Sequence, residues 1–234
     1  MKTNWMKEAA LLTIGLIVLG YSLRGGIESF IEKERVVSVK GLAEKEVAAN
    51  KVTWPLTFKV VGNDLTDLYN HIKQGNRTIT AYLKSNGISE DEISINAPEI
   101  IDMKAERYNS NNTPYRYNVT SIIIVTSNQV DKVRQLLAEQ SELLKQGIAL
   151  TSDDYRYSIQ YEYTLLNDIK PQMIEEATRA ARQAGEQFAK DSDSRLGKIK
   201  RASQGQFSIS DRDANTPHIK HIRVVTTVDY FLKD

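Results

Sequence analysis

Cysteine is absent from the 234 residues. That excludes disulfides, thiolate zinc sites and cysteine nucleophiles together. It also excludes a lipoprotein anchor, which needs a cysteine to carry the lipid. Stability must come from packing and backbone hydrogen bonds. Histidine is scarce, at three residues, so a Ser-His-Asp constellation has little to draw on. No block of one charge sign occurs, and the formal net charge is +1. Nothing in this distribution points to nucleic acid or an acidic polymer as partner. No G-x-S-x-G, P-loop or dinucleotide fingerprint is present, and no cofactor is expected.

Long hydrophobic runs are also lacking, with one exception. Ala9 to Leu19 reads AALLTIGLIVL, with Lys2 and Lys7 before it and Arg24 after it. With Trp5, Met6, Tyr21 and Leu23 it approaches the ~20 residues that span a bilayer. Three readings compete: an uncleaved signal anchor, a cleaved signal peptide and a buried helix of a globular domain. No A-x-A site follows, and Gly20-Tyr21-Ser22 is a weak substitute. No polar face interrupts the run. The signal anchor is preferred. Residues 1–27 are therefore read as a transmembrane segment, 28–34 as a linker with Gly25-Gly26 as its swivel, and 35–234 as one compact domain. The positive-inside rule puts the N-terminus in the cytoplasm and the domain on the periplasmic side of the inner membrane. The alternative is release into the periplasm after cleavage. About 200 residues then remain, enough for a real core.

What is present is a regular alternation of strand and helix patterns. Val36 to Lys40 reads as a strand that Gly41 breaks, with Leu42 to Ala49 a second strand or a bulged continuation. In Lys51 to Val61, Val52, Trp54, Leu56, Phe58 and Val60 share one parity, the signature of a strand with one dry face. Pro55 has no N–H to give a ladder, which predicts an edge or a bulge there. Asp64 caps a helix to Asn86, buried through Leu65, Leu68, Ile72, Ile79 and Leu83, with Gly75 as a weak point. Asn86-Gly87 closes it, and Ile88 folds back. Ile93 to Ala105, interrupted at Pro98, and Tyr115 to Thr126 read as a long hairpin. The run Ile122 to Val125 predicts burial on both faces. Asn128 caps a helix through about Leu137, and Ser141 to Gln146 adds a turn. Gly197 to Ile209 and His218 to Leu232 predict a second hairpin.

Pro171 to Lys190 is the most informative stretch. Ile174, Ala177, Ala181, Ala184 and Phe188 recur at three- and four-residue steps, so they share a helix face. A face this small lets the helix lie very close to a sheet, with Phe188 anchoring its far end. Glu175, Glu176, Arg179, Arg182, Gln183 and Glu186 form the solvated side. The order is strands, helix, hairpin, helix, strand, helix, hairpin. It predicts an α+β fold with a largely antiparallel sheet, long hairpins and about three packed helices behind the N-terminal hydrophobic one.

Site chemistry is sparse. His218 and His221, three apart on a predicted strand, point to opposite faces, which disfavours a shared zinc ion. His71 reads as a boundary histidine. Asp191-Ser192-Asp193 and Asp211-Arg212-Asp213 lack the third carboxylate and glycine of a calcium loop. They read as turns, as does Ser152-Asp153-Asp154. No catalytic or metal residue is assigned. The most suggestive surface is Tyr155, Tyr157, Tyr161 and Tyr163. Their shared parity in a predicted strand makes them a candidate interaction surface, weighed against a plain role in the core.

This order and punctuation resemble the SIMPL-domain family of bacterial envelope proteins, over essentially residues 35 to 232. The matching pieces begin with Val37-Ser38-Val39-Lys40-Gly41, Leu83-Lys84-Ser85-Asn86-Gly87-Ile88 and Glu92-Ile93. Tyr117, Val130, Val133 and Gly147-Ile148 follow. Glu176-Ala177, Ala180-Ala181-Arg182, Ala184 and Ala189 then precede Leu196-Gly197-Lys198-Ile199, and Val224 to Leu232 completes the match. Ala43-Glu44, Ala49-Asn50 and Asp191 to Ser194 depart from the family's usual glycine and Pro-Asp positions. The resemblance implies an exported or membrane-anchored protein of unknown function. It also implies links to oxidative-stress tolerance and assembly into oligomers in some members. It carries no active site. Two functions are therefore expected to compete: a non-enzymatic envelope domain that oligomerises or binds, and an envelope hydrolase or carbohydrate-active enzyme with carboxylates assembled in a cleft.

Overall fold

The computed structural model describes residues 3–32, 35–105, 114–151 and 155–233. Most of the expected turn before Pro114 (residues 108–113) and the 152–154 loop lie outside them. The elements are α1 (Thr3–Glu32), β1 (Val36–Ala48), β2 (Lys51–Gly62), α2 (Leu65–Ser85), β3 (Ile93–Ile95), β4 (Glu99–Asp102), β5 (Tyr117–Ser127), α3 (Val130–Ala138) and α4 (Ser141–Lys145). They continue with β6 (Leu150–Thr151), β7 (Gln160–Glu162), α5 (Leu166–Asp191), β8 (Arg195–Gln204), β9 (Ser208–Asp211) and β10 (Ile219–Lys233). The fold is α+β with antiparallel sheets, as the pattern predicts.

Two compact units form. One comprises Met1–Lys45, Asn167–Ile209 and Ile222–Asp234, the other Glu46–Leu166 and Ser210–His221. In the second unit, β2 pairs with β5 without a break, from Val52 opposite Ser127 to Gly62 opposite Tyr117. β3 and β4 pair with the other side of β5, so the first long hairpin is present, interrupted around Pro98. β5 is thus interior, and Ile122, Ile123 and Val125 are buried. The dry parity of β2 holds: Val52, Trp54, Leu56 and Phe58 are buried against α2 and α3 residues in one core. Pro55 does not mark an edge strand, because β7 pairs with residues 51–53 of β2 and β6 with residues 57–58. It falls in the gap between those two short strands, where the missing N–H costs no ladder bond on that side.

Asp64 caps α2 by accepting from the Thr66 and Asp67 N–H groups at 2.7 and 3.0 Å. At the other end Gly87 takes φ +86°, its N–H bonds Lys84 and the Ile88 N–H bonds Leu83. That pairing satisfies the last carbonyls of the helix. The expected weak point, Gly75, has a packing reason: a Cβ there would stand 2.5 Å from the Phe58 ring. α3 begins after Gln129 rather than at Asn128. The Ser127 hydroxyl accepts from the Gln129 N–H there and donates to Glu92.

In the first unit, β10 pairs antiparallel with β8, and β9 also lies on β10, which forms the second predicted hairpin. β1 lies on the other side of β10. Gly41 does not break β1, which is continuous from Val36 to Ala48. The glycine is needed because the backbone of α5 crosses it. A Cβ at Gly41 would overlap the Ala177 carbonyl oxygen and the Ala181 nitrogen, and lie 2.9 Å from the Ala177 carbonyl carbon. The small helix face therefore does what its composition predicts. Its exact members differ, however. Met173, Ala177, Ala181, Gly185 and Ala189 are buried. Phe188 is 59% exposed and anchors nothing. The buried stripe keeps strict four-residue steps, and Phe188 lies one step off it. α5 also starts earlier than Pro171, which sits in its second turn, where the ring removes a single bond.

α5 ends as α2 does, with one difference. Asp193 occupies the left-handed position at φ +51°, while the Ser194 N–H bonds Ala189 and the Asp193 N–H bonds Lys190. A side chain costs energy in that conformation and glycine does not. Asp193→Gly should therefore raise stability by about 0.5–1 kcal/mol in denaturant unfolding. A loss would mean that the carboxylate, rather than the backbone, holds this turn.

α1 contains the apolar stretch. Trp5–Gly26 is long and apolar enough to cross a membrane, and none of it is buried. The buried-helix reading is thereby overturned. Gly25 and Gly26 lie inside the helix, so no swivel breaks it, and helical backbone extends into the expected linker.

Candidate functional site

The strand expected through Tyr155 to Tyr163 is not continuous. Tyr155–Tyr157 is a 3-10 turn, and only Gln160–Glu162 is strand. The turn is held from one side by Glu99 on β4. Arg156 donates to both Glu99 oxygens at 3.3 and 3.2 Å, and the Tyr157 hydroxyl donates to the same carboxylate at 2.6 Å. The parity of the four tyrosines is therefore lost. Tyr161 joins the core, with burial raising its phenol pKa. Its ring meets His218 edge-on, 6.1 Å between centroids. Tyr163 is half-buried, while Tyr155 is 88% exposed.

Two of the four do line one cavity. A groove of about 570 Å³ opens along Trp54 to Thr57 of β2, at the gap beside Pro55. Its far wall is Leu137, Ser141 and Leu144, and its lip is Tyr155, Tyr157 and Ile159. Leu143 and Leu144 explain how the short α4 serves it. Leu143 is fully buried and pins the helix, while Leu144 is 64% exposed and faces outward. Gly147, at φ +82°, turns the chain so that the Ile148 N–H bonds Leu143. Among the described residues the lining holds aromatic, aliphatic, hydroxyl and amide groups, and no carboxylate, imidazole or cation. Such a lining can stack on or enclose an uncharged, partly apolar group.

A second groove, of similar volume, lies between α2 and residues 95–98. Among the described residues no carboxylate lines it either.

The other sequence candidates resolve as local structure. His218 lies in the turn before β10, where desolvation pushes its pKa down. His221 is on β10. Asp213 accepts from the Asn215 and Thr216 N–H groups at 2.8 and 2.9 Å. Bonds from the Thr216 hydroxyl and from Arg212 help bring its pKa down to about 2. Asp211 pairs with Lys220 instead. Among the described residues no three His, Cys, Asp or Glu side chains come together as a metal site.

Sequence reasoning singled out Tyr155 and Tyr157 but missed Trp54, Leu144 and the second groove. One usable signal existed: the adjacent leucines of a very short helix cannot both face the core. The SIMPL family model, described as a protein of unknown function, matches residues 37–228. No curated protein matches the chain.

Proposed function

Because this chain belongs to the SIMPL family, whose function is unknown, and carries an unburied apolar helix, we propose that it is a membrane-anchored envelope domain acting without catalysis. Its N-terminus lies in the cytoplasm and its domain on the periplasmic side. It works by self-association or binding through the tyrosine-lipped groove. The observation that carries this reading is the groove itself. Leu144 and Tyr155 stand out from its rim at 64% and 88% exposure, beside an apolar and hydroxyl lining that carries no charge among the described residues. Exposed apolar groups around a concave surface mark contact sites for a partner or a ligand. The role in oxidative-stress tolerance that the family resemblance implies would follow from such a contact.

The domain lacking residues 1–26 tests this. It is expected to be soluble and folded, because none of Trp5–Gly26 is buried. In size-exclusion chromatography with light scattering it should run above its monomer mass. Leu144→Lys with Tyr155→Lys should return it to monomer while changing stability by no more than about 0.5 kcal/mol, since both side chains are exposed. A clean wild-type monomer would sink the self-associating form. A truncated domain that only aggregates would count against an independent domain. N-terminal sequencing of the mature protein separates anchor from cleaved signal: loss of residues 1 to about 20–25 means cleavage.

A further inference from the structure

We propose that the second groove is a binding site for a single-chain anionic amphiphile of the fatty-acid class. The site shares no residue with the tyrosine-lipped groove and does not rest on the reading given to it. Its volume, about 570 Å³, falls within the range of small-ligand pockets, about 300–1,000 Å³. The body of the groove is apolar: Ile72, Ala81, Ile95 and Pro98, with Tyr69 at the rim. Ile95 and Tyr69 are 53% and 61% exposed, so this apolar surface is open to a ligand.

Charge decides which ligand. Lys73, Arg77 and Lys84 line the groove together, spaced along one face of α2. Lys84 is partly spoken for, with its Nζ 2.7 Å from Glu90. The Lys73 ammonium lies 5.7 Å from the centre of the Tyr69 ring. Arg77 forms no ion pair among the described residues. The Thr80 hydroxyl at the same wall is closed off from solvent and has no hydrogen-bond partner. An apolar trough with cations on one bank suits a molecule with an apolar body and one carboxylate. A guanidinium receives that carboxylate with two parallel hydrogen bonds. The compact volume favours one chain over a peptide, which would need an extended track.

The full chain is placed in phosphatidylcholine nanodiscs and exposed to a diazirine-bearing palmitate. Cross-linked peptides are mapped by mass spectrometry, with decanoate or decanol as competitor. Cross-links are expected on α2 and on residues 93–98, displaced by decanoate at about tenfold lower concentration than decanol. Arg77→Glu should lower the yield about tenfold. Ala81→Trp should abolish it by filling the groove. Both residues are exposed, so an unchanged melting temperature shows that folding is intact. Three results would overturn the proposal. Cross-links confined to α1 would mean partitioning into the bilayer. Equal competition by decanol would mean that no anion is read. Loss of labelling in phosphatidylglycerol discs without any added competitor would assign the site to a membrane phospholipid instead.

Discussion

Gly41→Ala is expected to destabilise the α5-containing unit by about 3 kcal/mol or more, at or beyond the top of the usual overpacking range. The reason is that the added methyl meets backbone rather than side chain. It would overlap the carbonyl oxygen of Ala177 and the nitrogen of Ala181, both in the middle of α5. A side chain can rotate away, but a helix can only move as a body. Moving it would lift Ala177 and Ala181, each fully buried, off their contacts, and would take Ala181 out of its cluster with Val39, Val228 and Tyr230. Urea unfolding of the domain without its apolar helix, followed by circular dichroism, reads the effect. Leu144→Ala in the same domain is the control, since that side chain is exposed. A loss under about 1 kcal/mol for Gly41→Ala would mean that β1 and α5 do not touch backbone to backbone.

Leu143→Ala should cost about 2–5 kcal/mol, and Leu144→Ala no more than about 0.5. The two differ only in direction. Leu143 is the one buried residue of α4 and belongs to the core with Leu136, Tyr82 and Leu83. A five-residue helix has too few hydrogen bonds to persist without such an anchor. Its loss should also free the Ile148 turn and dissolve the groove wall that Leu144 and Ser141 form. Leu143→Ala is therefore expected to lower both stability and association, and Leu144→Lys association alone. Equal stability losses at both positions would show that the outward leucine is packed after all.

The fold was readable where one local rule acts without competition. β2 alternates because one face is dry: Val52, Trp54, Leu56 and Phe58 are buried, and Val60 at its end is partly so. α2 announces both ends, through the Asp64 carboxylate and the positive φ of Gly87. The same rules misled where two arrangements satisfy the local pattern equally. Phe188 and Ala189 both continue a three- or four-residue repeat from Ala181 or Gly185. The choice fell to Ala189, because the near approach to β1 continues a ridge of strict four-residue steps. The tyrosine parity likewise assumed an unbroken strand, which the Glu99 clamp on Arg156 and Tyr157 does not allow.

Local pattern alone therefore settles the membrane-length apolar helix, the α+β order, the long hairpins and the small-residue character of α5, though not which residues of α5 pack. These depend on residue spacing along the chain, which needs no partner to be read. Tertiary contact settles the rest. It turns Gly41 from a strand breaker into the crossing point of a helix. It sends Leu143 inward and Leu144 outward, and it sets Trp54 beside Tyr155. It gathers Arg77 and Ile95 around a second groove. Each of those pairings joins residues far apart in sequence, and spacing along the chain carries no information about what closes across space.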